Sequence, residues 1–162
     1  DVARHYNKKI QDIVEIFFAP IIREHEKSGE YKLSGCSYMM MGFLITALFF
    51  PRPIVITSWL VLIISDSCAA IFGRHVGRPS KNGKSFEGSC AFFLSALFLS
   101  IIVFMIEGYP INFWILVISS LITTYVEYYS KQLGLDDNLT IPTSFAASVT
   151  VLRLMFLAPI IS

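Results

Sequence analysis

The segment Gly88–Ile106, with the sequence GSCAFFLSALFLSIIVFMI, contains no aspartate, glutamate, lysine or arginine. An α-helix needs about 20 mostly apolar residues to cross the hydrocarbon core of a bilayer, and this run is long enough. Four more runs of the chain lack these charged residues: Leu33–Pro51, Pro53–Ser65, Gly108–Val126 and Asn138–Leu152. Beyond a single charge, apolar sequence continues from the second of these to Phe72 and from the last to Ala158. The pattern predicts an all-α, polytopic membrane helix bundle with about five transmembrane helices.

The composition supports a membrane protein and excludes several other classes. Of the 162 residues, 54% are hydrophobic and 15% are charged, whereas a soluble domain carries about 25% charged residues. A chain this apolar is not disordered, and three cysteines are too few for a disulfide scaffold. The net charge of +1 gives no general attraction to nucleic acid, so we expect no nucleic-acid partner.

Residues 1–32 differ from the rest of the chain because they carry many charges of both signs. Apolar residues recur at helical spacing from Ile10 to Ile22, which predicts an N-terminal amphipathic helix on the membrane surface or against the bundle. We expect residues 1–162 to form one membrane-embedded domain, with 1–32 as a juxtamembrane segment and 33–162 as the transmembrane bundle. The start at Asp1 rather than Met leaves room for earlier helices.

The distribution of basic residues predicts the orientation of the bundle. Four basic residues lie in the loop between the second and third apolar runs: Arg74, Arg78, Lys81 and Lys84. Basic loops stay on the cytoplasmic side of a membrane. Counting crossings from this loop places residues 1–32 and 130–137 on the same side, and residues 51–53 and 107–110 on the opposite side. Most polar segments therefore meet at the cytoplasmic face, within reach of a soluble reagent.

Acidic residues within or next to apolar runs are candidate metal ligands. Asp66 interrupts the second apolar segment, where an aspartate costs about 2.5–3.5 kcal/mol and should face a polar cavity, a cation or a metal. Glu127 ends the fourth run, and Asp136-Asp137-Asn138 offers adjacent oxygen ligands of the kind that Mg²⁺ binds. The residues alone leave a structural alternative open. In it, Asp66 caps a helix or forms a hydrogen bond to another helix, and an Asp or Asn of the triplet is the N-cap of the last helix.

The basic loop suits a polyphosphate. Guanidinium and ammonium groups neutralise phosphate charge, and glycines between them let backbone N–H groups approach the ligand. The alternative is a plain positive-inside anchor. Gly83-Lys84-Ser85 is not a nucleotide-binding P-loop, since Arg78 stands where that motif needs its first glycine. Carboxylates, cations and glycines at one mouth of an apolar bundle favour a nucleotide held with Mg²⁺ beside a lipid-accessible groove.

Three sequence blocks resemble the polyprenol kinase family, which includes dolichol kinase, phytol kinase and CTP-dependent diacylglycerol kinase. The blocks are Ser65-Asp66-x-x-Ala69-Ala70-x-x-Gly73-Arg74-x-x-Gly77, then Lys84-Ser85-x-Glu87-Gly88-Ser89, then Glu127 with Asp136-Asp137-Asn138-Leu-Thr-Ile-Pro142. The resemblance is to bacterial-type members, and phosphatidate cytidylyltransferases carry a more distantly related pattern. It implies an integral protein of the bacterial cytoplasmic membrane with its active site on the cytoplasmic face.

The same resemblance implies an activity and a set of site residues. A lipid-alcohol kinase of this kind transfers the γ-phosphate of a nucleoside triphosphate, typically CTP, with Mg²⁺ to a polyprenol, a phytol-like alcohol or diacylglycerol. The implied catalytic residues are Asp66, Asp137 and Glu127. The implied metal ligands are Asp66, Asp137 and Asn138. The implied nucleotide and phosphate contacts are Gly73, Arg74, Gly77, Arg78, Lys84, Ser85, Glu87 and Gly88.

Two other functions remain open at the level of sequence. One is a CTP-dependent cytidylyltransferase that makes a CDP-lipid from a lipid phosphate. The other is a non-enzymatic transporter component, in which Asp66 would be a carboxylate on the transport pathway. The clustering of polar motifs toward one side of the membrane favours an enzyme over a transporter.

Overall fold

The computed structural model describes residues 34–78, 83–132 and 134–157, and within these residues the chain is helical with no strand. The prediction of an all-α protein is confirmed for this part of the chain. Its five helices are α1 (Gly35–Phe49), α2 (Arg52–His75), α3 (Phe86–Ile106), α4 (Phe113–Tyr129) and α5 (Asp137–Leu157). The amphipathic helix predicted in residues 1–32, and Lys81 of the basic loop, lie outside the described residues.

Three of these helices are long and apolar enough to cross a membrane, which indicates an integral membrane protein. They are α2, α3 and, over Asp137–Phe156, α5. The other two, α1 and α4, are apolar but shorter, with 15 and 17 residues. About five transmembrane helices were predicted, and the described residues contain five helices, while the crossing of the bilayer by α1 and α4 stays a prediction. Large apolar side chains such as Leu48, Phe98 and Met105 lie exposed on the outside of the bundle, as a lipid-facing surface requires.

The ends of the helices follow from capping residues in the sequence. Ser85 begins α3 by accepting a hydrogen bond from the Gly88 N–H at 3.1 Å, and Asn112 begins α4 by accepting one from the Trp114 N–H at 2.9 Å. Asp136 plays this part for α5, since its Oδ1 accepts the Asn138 N–H at 2.9 Å. The predicted cap of the last helix is thus an aspartate of the Asp-Asp-Asn triplet.

Helices α2, α3, α4 and α5 form a ring in which each packs against the next and α5 closes on α2. Helix α1 packs outside this ring, against α5 and α2. The ring interior is filled by apolar side chains including Phe92 and Phe145. Gly42 of α1 lies so close to α5 that a Cβ there would stand 2.9 Å from the Asn138 carbonyl oxygen. A larger residue at this position would separate the two helices.

The connecting loops alternate between the two ends of the bundle. Arg52, at the start of α2, forms an ion pair of 3.4 Å with Glu107, which follows α3. The loop before α3 and the loop before α5 meet at the other end, where Lys84 contacts Asp137. Residues 51–53 and 107–110 therefore lie on one side, as the crossing count predicts. We call the two ends the Arg52 end and the Lys84 end.

Candidate active site

The site at the Lys84 end begins with a local irregularity in α2. Residues Val61–Ser65 form a π-helical turn, which continues directly into an α-helical segment that starts at Asp66. A π-turn takes in one more residue than an α-turn and so rotates the side chains that follow it; such turns are frequent at functional sites. Here the turn immediately precedes the one carboxylate that interrupts the second apolar segment.

Three carboxylates from three helices of the ring converge at this point. Asp66 comes from the middle of α2, Glu127 from the last turn of α4 and Asp137 from the first turn of α5. One carboxylate oxygen from each lies within 4.8 Å of the others. The alternation of loops brings together residues that are separated by up to 71 positions in sequence (137 minus 66). We call these three residues the acidic cluster.

Lys84 is bound to the acidic cluster. Its Nζ donates hydrogen bonds to Glu127 Oε1 at 2.6 Å and to Asp137 Oδ2 at 3.0 Å. The Glu127 carbonyl oxygen and Ser130 Oγ also lie within hydrogen-bonding distance of Nζ. Burial by itself lowers the pKa of the Lys84 ammonium, but the hydrogen bond and charge of Glu127, with the charge of Asp137, outweigh burial and raise that pKa above its ordinary value. Lys84 is therefore a cation at neutral pH.

One ammonium does not satisfy the cluster. Glu127 Oε2 and Asp137 Oδ1 are buried and have no hydrogen-bond partner among the described residues, and Glu127 as a whole is only 4% exposed. Burying a charged oxygen without a partner is unfavourable. Carboxylate oxygens are also the ligands that hard divalent cations prefer. Asp66, Glu127 and Asp137 could therefore hold such a cation.

The acidic cluster opens into a cavity of about 810 Å³, a volume within the usual range for small-molecule sites of about 300–1,000 Å³. Its walls combine acidic, basic, glycine and apolar residues, and the lining consists of Asp66, Ala69, Ala70, Gly73, Arg74, Gly77, Gly83, Lys84, Ser85, Gly88, Ser89, Glu127, Lys131, Leu135, Asp136, Asp137 and Asn138. One pocket thus offers carboxylates, cations and small residues on its walls.

Six of the eight residues predicted to contact phosphate line this cavity: Gly73, Arg74, Gly77, Lys84, Ser85 and Gly88. The other two, Arg78 and Glu87, are not among its lining residues. They contact each other, because the Arg78 backbone N–H donates to Glu87 Oε2 at 3.2 Å. Glu87 in this structure therefore holds the start of the α2–α3 loop against the first turn of α3.

The glycines of the motif have a packing role that is independent of any ligand. A Cβ on Gly88 would lie 2.8 Å from the Ala69 carbonyl oxygen and 3.3 Å from the Gly73 Cα. A Cβ on Gly77 would overlap the Ser85 side chain. These small residues let α2 and α3 cross closely, and the crossing fixes the distance between Asp66 and the first turn of α3.

Asn138 and Lys84 have contacts that the sequence interpretation did not include. The Asn138 side-chain amide donates to Asp136 Oδ1 at 2.8 Å, and Asn138 lines the same cavity as the acidic cluster. Lys84 contacts carboxylates where the sequence suggested phosphate. No spacing signal links Lys84 to Glu127, since 43 positions separate them. Lys131 and Leu135 also line the cavity without having been predicted.

Comparison with known proteins supports the motif assignment in part. The chain is 50% identical over 151 residues to "Uncharacterized protein RP860" of Rickettsia prowazekii, a match that covers 93% of this chain and 74% of that protein. It is 34% identical over 141 residues to "Uncharacterized protein MJ1137" of Methanocaldococcus jannaschii, covering 86% of this chain and 65% of that protein.

A plant enzyme is a more distant relative. The chain is 32% identical over 136 residues to "Probable phytol kinase 3, chloroplastic" of Glycine max, which covers 75% of this chain but only 42% of that protein. No model of a known protein family and no solved structure matches the chain. The extent of the first match shows that the chain belongs to the same family as RP860 of Rickettsia prowazekii, and the last match gives that family a distant similarity to a phytol kinase.

Proposed function

We propose that this chain is a lipid-alcohol kinase. It transfers the γ-phosphate of a nucleoside triphosphate, CTP first among them, to the hydroxyl group of a polyprenol, a phytol-like alcohol or diacylglycerol. The observation that carries the proposal is the meeting of three carboxylates from separate helices, with a lysine, in one cavity at the end of an apolar bundle. The similarity of three quarters of the chain to a phytol kinase points to the same chemistry.

Mg²⁺ is the cation that the acidic cluster would hold. The buried, unpartnered oxygens of Glu127 and Asp137 are suitable ligands, and Asp66 supplies a third carboxylate. Mg²⁺ supplies charge neutralisation of the substrate phosphates when it is bound. Asn138, on the cavity wall beside Asp137, is available to the outer part of this site.

The chain's own residues supply positioning and charge. Arg74 and Lys84 line the cavity and would neutralise the triphosphate, which is most of what phosphoryl transfer requires of a protein. The lipid hydroxyl oxygen forms the new bond to the γ-phosphorus, and the bond from that phosphorus to the oxygen bridging it to the β-phosphate breaks. The nucleoside diphosphate leaves, and a carboxylate of the acidic cluster accepts the hydroxyl proton.

The position of the cavity suits a membrane substrate. Ala69, Ala70 and Leu135 give its wall an apolar part, so a lipid hydroxyl at headgroup level can enter while its hydrocarbon stays beside the helices. We place the Lys84 end at the cytoplasmic face of a bacterial membrane, where nucleotides are present. Trp114 is exposed near the start of α4, and Tyr129, whose ring packs against a neighbouring tyrosine, is its last residue. Trp and Tyr are enriched at both interfaces between a membrane and water. Trp114 and Tyr129 are roughly 22 Å apart along the helix at 1.5 Å per residue, which supports a crossing by α4 as well.

The test uses the purified protein in lipid nanodiscs with γ-labelled CTP, ATP, GTP and UTP and a panel of lipid alcohols. We expect labelled lipid phosphate, and none from Asp137→Asn. Transfer of an α-label to a lipid phosphate, with release of pyrophosphate, would instead identify a cytidylyltransferase. Absence of label in lipid from every donor, in protein shown to be folded, would reject the enzyme assignment.

A further inference from the structure

Lys84 is bound to two of the three carboxylates that the proposed function assigns to a divalent cation. Its ammonium uses Glu127 Oε1 and Asp137 Oδ2, which are oxygens of two of the three carboxylates in the cluster. Glu127 is more than nine-tenths buried, and its Oε2 has no hydrogen-bond partner among the described residues. The cluster therefore carries more negative charge than the lysine neutralises, and it remains attractive to a second cation.

The main chain that follows Lys84 is anchored by a helix cap, while the Lys84 side chain has several rotatable bonds. Ser85, the next residue, is buried and caps α3 through the Gly88 N–H. Gly83, the residue before, has a φ of +72°, a conformation that favours glycine. Nζ can consequently leave the carboxylates by side-chain rotation alone, without movement of the helices that hold the acidic cluster.

Like charges only a few ångström apart repel strongly at the edge of a protein interior. A divalent cation held by the acidic cluster would lie beside the Lys84 ammonium. The cavity around Lys84 contains Arg74, Gly73 and Gly77, and it is the volume in which the proposed function places a triphosphate. A phosphate there would offer the displaced ammonium a new partner of opposite charge.

We infer that Lys84 is a tethered competitor of the divalent cation, and that it moves from the acidic cluster to the nucleotide phosphates when the cation binds. This inference rests on the proposed function. It explains how part of the negative charge of the three converging carboxylates is compensated before any ligand arrives. It also makes the cation and the nucleotide bind cooperatively, because each provides what the other needs: an emptied cluster and a partner for Lys84.

The first test measures Mn²⁺ affinity without nucleotide, by electron paramagnetic resonance of free Mn²⁺, for protein in nanodiscs. Lys84→Met should bind Mn²⁺ at least about tenfold more tightly than wild type, because the competing charge is gone. Lys131→Met is the matched control, since Lys131 lines the same cavity but is absent from the hydrogen bonds of the cluster; its effect should be far smaller. Equal or weaker binding by Lys84→Met overturns the inference.

A second measurement uses only wild-type protein and so does not depend on the folding of a variant. Acetic anhydride modifies free lysine amines, and mass spectrometry reads the extent at each position. Saturating Mn²⁺ without nucleotide should raise the modification of Lys84 several-fold relative to Lys131. Unchanged or lower modification of Lys84 overturns the inference.

Failure of this inference and failure of the proposed function would give different experimental results. Lipid phosphate made by wild-type protein, together with unchanged Mn²⁺ affinity in Lys84→Met, would overturn the competitor role and leave the kinase assignment standing. Mn²⁺ binding by neither protein would also overturn the competitor role, and the label in lipid phosphate would then decide the kinase assignment by itself.

Discussion

The two ends of the bundle carry the same kind of ion pair in opposite surroundings. At the Arg52 end, Arg52 and Glu107 meet with side chains that are 79% and 19% exposed. At the Lys84 end, Lys84 and Glu127 meet with side chains that are 12% and 5% exposed. An exposed pair contributes little because water and salt screen it, whereas a buried pair carries a desolvation penalty that its attraction only partly offsets. Stability alone therefore does not account for the polar groups at the Lys84 end.

The largest expected difference between the two ends is in catalysis. Glu127→Gln removes a charge from the acidic cluster and should lower the rate of lipid phosphorylation at least about 100-fold, since the proposed transfer depends on charge stabilisation. Glu107→Gln makes the same substitution at the Arg52 end and should leave the rate within about twofold, because a screened surface pair contributes little. Initial rates with labelled nucleotide in nanodiscs check both. Equal losses in the two variants would contradict a catalytic role for the buried end.

The next difference is in stability. Lys84→Met leaves the buried Glu127 carboxylate and the half-buried Asp137 carboxylate without their cation, and it should lower the free energy of unfolding by about 3 kcal/mol in metal-free buffer. Arg52→Met, its counterpart at the exposed pair, should cost about 0–1 kcal/mol. Denaturant unfolding in detergent measures both changes.

A metal addition sharpens this stability comparison. A ligand that binds only the folded state stabilises it by mass action. Millimolar Mg²⁺ should therefore restore much of the stability of Lys84→Met, and it should stabilise Arg52→Met less, because Lys84 still competes for the acidic cluster in that variant. If Mg²⁺ stabilised both variants to the same extent, Lys84 would not be competing with it for the acidic cluster.

The two ends also differ in how far sequence could predict them. The charge-free run Gly88–Ile106 closely matches α3, and Leu33–Pro51 encloses α1, because the hydrocarbon core excludes charge and this leaves a direct record in the sequence. Arg153 is a charged residue within α5, and its guanidinium group lies 4.2 Å from the Tyr109 ring centroid. This cation–π contact stabilises the charge within an otherwise apolar helix. The positions of these helices could therefore be predicted from the charge-free runs of the sequence.

Contacts within the site were harder to predict from the sequence. The counting of crossings correctly brought Asp66, Glu127 and Asp137 to one end, but it gave no distances. The π-turn at Val61–Ser65 carries no glycine or proline that would mark it. Lys84 was expected to contact phosphate from the glycine-rich basic loop and from the family resemblance; in the structure its ammonium contacts carboxylates 43 and 53 residues away. Such pairings depend on how helices pack, which a single sequence does not record.

Glycine substitutions test whether close packing serves the site. Gly88→Ala would bring a Cβ to 2.8 Å from the Ala69 carbonyl oxygen, and overpacking of this kind costs about 1–3 kcal/mol. It should also lower activity at least about tenfold, because shifts of about 1 Å in catalytic geometry are that expensive. Gly108→Ala, at the Arg52 end, is strained by its φ of +59° and should cost about 1–2 kcal/mol, with activity per folded protein unchanged. Paired unfolding and rate measurements separate the two outcomes, and an inactive but folded Gly108→Ala would contradict the contrast.

The smallest expected effects concern two helix caps. Asp136→Ala and Asn112→Ala each remove a side chain that accepts a backbone N–H at 2.9 Å, and each should cost about 1 kcal/mol of stability. Only the first should also lower activity, by a few-fold, because Asp136 fixes the helix start that carries Asp137. Asp136→Asn keeps a good cap while it removes the charge, so it should retain wild-type stability and most of the activity. A loss in Asp136→Asn as large as that in Asp137→Asn would show that the Asp136 carboxylate itself takes part in the chemistry, and the assignment of the acidic cluster would have to change.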